Sequence, residues 1–176
     1  EAALEKYRRD LEKAQASGDQ WRITKAREAL EARESWLKQA PYAYLDPCPR
    51  YMAFNTTVAP FDNPLVRWAV SESLDRDAIV DIAWEGLTVP SKWMTPDYPP
   101  FKPYMDGAAD LFSQYNTLEH DPAKVASLME QAGYTKSGDF WTDKDGKPVK
   151  LELVIREGEA DQTKMAPVVA QMLKKA

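Results

Sequence analysis

One histidine and one cysteine are all that this chain of 176 residues holds of the two residue types that most often bind transition metals. A tetrahedral zinc site draws its four donors mainly from those types, so zinc here would need unusual carboxylate ligation. The single thiol, Cys48, excludes an intrachain disulfide. As a nucleophile it would need a basic neighbour to lower its pKa; only Arg50 is near, and His120 is far along the chain. No nucleophile-elbow motif accompanies His120 as the base of a serine triad. The seven glycines are dispersed and form no phosphate-cradling loop. A net charge of −5 argues against a nucleic-acid surface, which needs clustered positive charge. No apolar run approaches the ~20 residues that span a bilayer. Carboxylates are plentiful, yet none stands out as an acid/base pair in an apolar setting. No catalytic residue, metal or cofactor can be assigned on these grounds, and an enzyme is not expected.

What is present is patterned. Residues 1–17 carry Leu4, Tyr7, Leu11 and Ala14 at helical spacing among Glu, Lys and Arg, and Gly18-Asp19 breaks and recaps the run. A second helix over 20–39 has Ile23, Ala26, Leu30 and Leu37 inward and Trp21 and Trp36 near its ends. The short connection predicts an antiparallel helical hairpin over 1–39. Its thin apolar face leaves two readings open, a structural arm or a module that docks a partner protein. Residues 40–50 hold three prolines and read as an extended connector.

The rest of the chain is organised around 51–90. A short apolar run (Tyr51, Met52, Ala53, Phe54) ends at Asn55, and Asp62-Asn63-Pro64 opens a helix with an Asx cap and a proline where no donor is lost. Leu65, Val66, Ala69, Val70 and Leu74 form its stripe. Asp75 caps a second helix carrying Ile79, Val80, Ile82 and Ala83, which stops at Gly86. Residues 87–118 are dense in proline and aromatics, which predicts an irregular loop with at most a short helix at 107–115. The aromatics either pin this loop to the core or face a ligand. Asp121-Pro122 opens a further helix that ends at Gly133. Residues 140–155 read as a hairpin about an Asp145-Gly146 turn. A final helix is expected over 165–175, with Pro167 near its start. The run Asp143-Lys144-Asp145-Gly146 invites a calcium-loop reading, but Trp141 stands where the first carboxylate must be. The chain has no initiating Met and closes on Lys174-Lys175-Ala176 directly after a helical stripe, so it is expected to be a piece of a longer protein.

Four motifs in order resemble the extracellular solute-binding proteins of family 5, the peptide receptors of ATP-driven importers and their relatives. They are Phe54-Asn55 with Pro60-Phe61-Asp62-Asn63 and Val66-Arg67-Trp68-Ala69; Asp75-Arg76-Asp77-Ala78-Ile79-Val80; His120-Asp121-Pro122-Ala123-Lys124 with Gln131-Ala132-Gly133-Tyr134; and Trp141 to Val149. The resemblance covers residues 51–176. It implies an α/β unit, one lobe of a type II periplasmic-binding fold, in which strands at 51–55 and 149–155 share a sheet. It further implies a non-enzymatic role outside the cytoplasmic membrane: capture of an oligopeptide or oligosaccharide and delivery to an ABC permease, with ligand enclosed against a partner lobe of the same parent protein. The hairpin 1–39 is outside the usual pattern, and the chain stops before the segment with which peptide-binding members contact ligand from this lobe. A piece lacking half the cleft is expected to bind ligand weakly, and its open sheet edge to favour self-association. Candidate ligand-binding residues are Asn55, at a strand end; Trp93, on the proline-rich loop, where it can stack on a side chain or sugar face; Tyr98; and Arg156. Arg67 and the Asp75-Arg76 pair read as structural, the latter as a cap and ion pair.

Overall fold

The computed structural model describes residues 2–39, 48–94 and 99–176, which form two compact units. The first contains the hairpin and residues 86–89. Helix α1 (Ala2–Ser17) and helix α2 (Gln20–Gln39) are joined by Gly18 at φ +69°, a conformation that glycine adopts without strain. Asp19 Oδ1 accepts from the N–H groups of Trp21 (3.0 Å) and Arg22 (3.2 Å), capping α2. Only Ala14 of the stripe is buried, so the apolar face is as thin as its spacing implies.

The second unit is built on four helices. Helix α3 (Pro64–Glu72) starts at Asn63, whose side chain accepts from Leu65 N (2.9 Å). Helix α4 (Arg76–Trp84) starts at Asp75, which accepts from Ala78 N (2.9 Å). Helix α7 (Pro122–Gln131) starts at Asp121, which accepts from Ala123 N (2.9 Å). Helix α8 (Ala160–Lys175) closes the chain. Helix α3 packs on α7 around Val66, Ala69, Val125 and Met129, while Leu74 and Ile79 meet Val169 of α8 in an adjoining core. Removing the α3 cap with Asn63→Ala is expected to lower stability by about 0.5–2 kcal/mol; a shift in the urea midpoint at constant slope measures it.

Between α4 and α7 the proline-rich stretch is more helical than expected. A 3₁₀ turn (Pro99–Phe101) leads into α5 (Lys102–Gly107), and α6 (Ala109–Gln114) follows inside the predicted window. Proline is tolerated because Pro103 falls in the first turn of α5, where a missing N–H costs nothing. Helix α8 begins five residues before the expected 165, so Pro167 sits inside it and leaves one intrahelical bond unmade.

The sheet expectation needs correction. Among the described residues the only ladder is an antiparallel ribbon, β1 (Thr135–Ser137) with β2 (Phe140–Thr142). Residues 51–55 and 149–155 carry no strand pairing, with each other or with anything else described. The Asp143–Lys147 turn does form: Asp143 N donates to Lys147 O (2.9 Å), and Gly146 takes φ +77°. A bridge from Thr142 to Pro148 and a bond from Val149 N to Trp141 O (2.7 Å) start the second hairpin. It goes no further because β2 is three residues long and gives way to the Gly138-Asp139 turn, leaving no strand opposite Leu151 and beyond. Leu151, Leu153, Val154 and Ile155 stay exposed in consequence.

Candidate functional site

The aromatic loop is where the second unit displays side chains suited to a ligand. Its two ends are tied together by Thr117 Oγ1, which donates to Lys92 O (2.7 Å). Ser91 Oγ donates to Trp93 O (2.6 Å). Trp93 meets Phe112 of α6 edge-on, with centroids 5.4 Å apart, and Tyr115 at the end of α6 stacks on Trp68 of α3 at 6.2 Å. The Tyr115–Trp68 stack pins the loop to α3, and the Trp93–Phe112 contact holds two parts of the loop together. The rings pin it, yet Trp93 is 47% exposed and Tyr104 76%. Half-open aromatic faces can stack on a flat or ring-shaped ligand.

The other candidates are placed elsewhere. Asn55 is exposed, and its Oδ1 accepts from both Thr57 N (3.1 Å) and Thr57 Oγ1 (2.7 Å), closing an Asx turn. Arg156 donates its N–H to Gln162 Oε1 (2.8 Å) and sets Nη1 3.5 Å from Glu159 Oε1, both near the start of α8. Tyr98 lies outside the described residues. No hydrogen bond or ring contact joins Asn55, Trp93 and Arg156 to one another. Arg50, on the incoming chain, pairs with Asp161 in the first turn of α8. Burial pushes the Asp161 carboxyl up, but Arg50 and nearby backbone N–H groups outweigh it and hold the group below the usual aspartate range.

Arg67 has the structural role expected of it: its Nη1 donates to the Phe61 and Asp62 carbonyls, bracing the turn into α3. Of the Asp75-Arg76 reading the cap holds and the ion pair does not. Asp75 caps α4, but Arg76 reaches back to Ser71 O (3.1 Å), Leu74 O (3.2 Å) and Ser71 Oγ (2.8 Å), because carbonyls left open at the end of α3 are the nearer acceptors. The Asp143 carboxylate is engaged inside its own turn, accepting from Asp145 N (3.0 Å) and Lys147 N (2.9 Å). Among the described residues no group of three His, Cys, Asp or Glu side chains could hold a metal ion, and Cys48 is exposed.

The spacing of apolar residues did not foreshadow Glu72. It ends α3, is 5% exposed, and its Oε2 has no hydrogen-bond partner. Oε1 lies 4.0 Å from Lys124 Nζ of α7, and His120 Nδ1 donates to the Glu72 carbonyl (2.9 Å). Burial raises the carboxyl above the usual glutamate range; Lys124 and the Asp121 backbone N–H oppose this, and the charges of Glu119 and Asp121 add to it. The same burial lowers Arg76, which Glu72 in turn pulls upward.

Comparison with known proteins gives these features a context. The family model described as bacterial extracellular solute-binding proteins, family 5 middle, matches residues 11–176, reaching further toward the N-terminus than the four motifs. The glutathione-binding protein GsiB of Pectobacterium atrosepticum is 33% identical over 85 residues, 48% of this chain and 15% of that protein. Heme-binding protein A of Haemophilus influenzae is 31% identical over 121 residues, 68% of this chain and 19% of that protein. Crystal structures of a periplasmic oligopeptide-binding protein of an oligopeptide ABC transporter from Thermotoga maritima, one of them with mannohexaose bound, align with a TM-score of 0.57 at 23% identity. They cover 69% of this chain and 23% of theirs, and establish the fold: part of a lobe of the periplasmic-binding type. The chain thus spans about 15% of the length of the first of these relatives. With the family model matching almost its whole length, this chain belongs to the bacterial extracellular solute-binding proteins of family 5.

Proposed function

We propose that this chain is part of the substrate-binding component of an ABC import system, which captures an oligopeptide or oligosaccharide outside the cytoplasmic membrane and delivers it to a permease. The family match over residues 11–176 carries the reading. The protein works in the periplasm or extracellular space, associates with the membrane through its importer, and performs no catalysis. Ligand is enclosed between this lobe and a partner lobe of the same protein. Trp93 is the leading contact, supported by its half-exposed ring on a pinned loop. Asn55 offers its amide nitrogen, the Oδ1 being engaged locally, and Arg156 its exposed guanidinium for a ligand carboxylate; Tyr98 completes the set.

The ligand class is tested by gently purifying the full-length protein containing this sequence, denaturing it and weighing the small molecules released. A ladder of peptide masses establishes a peptide receptor. Hexose-spaced masses shift the weight to stacking on Trp93, and Trp93→Ala is then expected to cost binding about tenfold or more. Repeated absence of any ligand across several growth media overturns the reading.

A further inference from the structure

The chain leaves α4 through two consecutive left-handed residues, Glu85 at φ +54° and Gly86 at φ +71°. Gly86 is buried, and residues 86–89 group with the hairpin. A Cβ built on Gly86 would overlap the Tyr7 hydroxyl of α1 and lie 3.1 Å from both Tyr7 Cζ and Arg33 Nη2 of α2. The two side chains that meet it are themselves organised. Arg33 Nη2 donates to Tyr7 OH (3.1 Å), and the guanidinium lies 5.4 Å from the Tyr7 ring and 5.8 Å from the Trp36 ring, within cation–π range. The backbone at Gly86 approaches a hydroxyl that any side chain would displace.

We propose that the α1–α2 hairpin is a clamp for the segment from which the aromatic loop springs: Tyr7 and Arg33 form its jaws, and Gly86 is the residue they close on. Tyr7, Arg33 and Gly86 are positioning residues for the segment 86–89, and the hairpin needs no partner protein to account for it. The value of the clamp to ligand capture rests on the function proposed above, but the clamp is tested without any ligand.

The test is amide hydrogen exchange on the full chain, with Gly86→Ala, Tyr7→Phe and the double variant. Gly86→Ala is expected to speed exchange across residues 86–94 by about tenfold, since the added methyl meets the hydroxyl and the left-handed backbone is strained. Amides in the middle of α3 and α7 are expected to stay as protected as in the parent chain. Removing the hydroxyl with Tyr7→Phe in the Gly86→Ala background is expected to recover part of that protection, an improvement that unfolding cannot imitate. Strain at Gly86 alone would give the same exchange whether residue 7 is Tyr or Phe, and that absence of coupling overturns the clamp. A third variant, Arg33→Gln, is expected to loosen residues 86–94 with α1 and α2 still protected; unchanged exchange there overturns it equally. Neither result bears on which small molecule the full-length protein releases, so a failed clamp and a failed receptor reading are distinguishable.

Discussion

Met129→Ala lowers the stability of the second unit by about 2–5 kcal/mol, the usual cost of emptying a buried methionine site. Met129 is 5% exposed on α7 and lies in the cluster that joins it to Val66 and Ala69 of α3. Val66 and Ala69 are each 2% exposed, so backbone and side chains are already close on that side and have little room to collapse into the cavity. Phe61, Tyr134 and Trp141 pack around the same cluster, and their support loosens with it. The measurement is a urea titration followed by tertiary signals from these aromatics, fitted separately from the helical signal because α1 and α2 form a different unit. A midpoint shift worth less than about 1 kcal/mol would mean that the α3–α7 seam can repack and is not the principal core.

Glu72→Met raises stability at neutral pH by about 1–3 kcal/mol, the typical cost of a buried polar group without a partner. The Oε2 oxygen is that group, and methionine fills a similar volume with nothing to solvate. Loss of the 4.0 Å approach to Lys124 costs little, because the lysine is largely in water. The pH dependence separates this account from generic surface smoothing. The folded-state pKa of Glu72 is raised, so the native state binds its proton more tightly than the unfolded chain does. Stability from this group is therefore full below the ordinary glutamate range and declines as pH rises through the raised value. Glu72→Gln, which cannot titrate, is expected to flatten that decline. Asp161 acts in the opposite sense: its lowered pKa supports the fold above the ordinary aspartate range and is lost as pH falls through the folded-state value. A decline as steep in Glu72→Gln as in the parent chain would assign the pH dependence to another group.

Which features could be read in advance follows the range of the forces involved. The caps at Asn63, Asp75 and Asp121 were legible because an Asx side chain and an N–H two or three residues on decide them locally. The α3 and α4 stripes were legible because their buried residues recur at helical spacing. Sheet pairing was not, because it depends on which backbone lies alongside, and no periodicity within 51–55 or 149–155 names the neighbour. Arg76 was misassigned because adjacent opposite charges look like a pair, while the open carbonyls of the preceding helix are the nearer acceptors. Glu72 went unseen for a related reason: a carboxylate at a helix end reads as solvated, and only the approach of α7 buries it. The proline-rich loop that carries Trp93 was legible in its composition, but the contacts that hold it, Phe112 and the Thr117–Lys92 tie, come from residues 19–25 positions away and carry no local signal.

The unpaired run at 149–155 has a colloidal consequence. Beyond Val149, whose N–H bonds Trp141 O, residues 150–155 are exposed outside any ladder, and the alternating charges of Lys150 and Glu152 make the run electrostatically self-complementary in one arrangement. Two copies laid antiparallel and centred on Leu151 set Lys150 across from Glu152 on both sides; centred on Glu152 they oppose two carboxylates. Slippage between these registers is penalised by charge, whereas Leu153, Val154 and Ile155 offer no such discrimination. Added salt screens the register-setting pairs and leaves the apolar contact in place. Any association of the chain through this run is therefore expected to pass from ordered pairing at low ionic strength to unselective stickiness at high, the reverse of what charge-driven solubility alone would give.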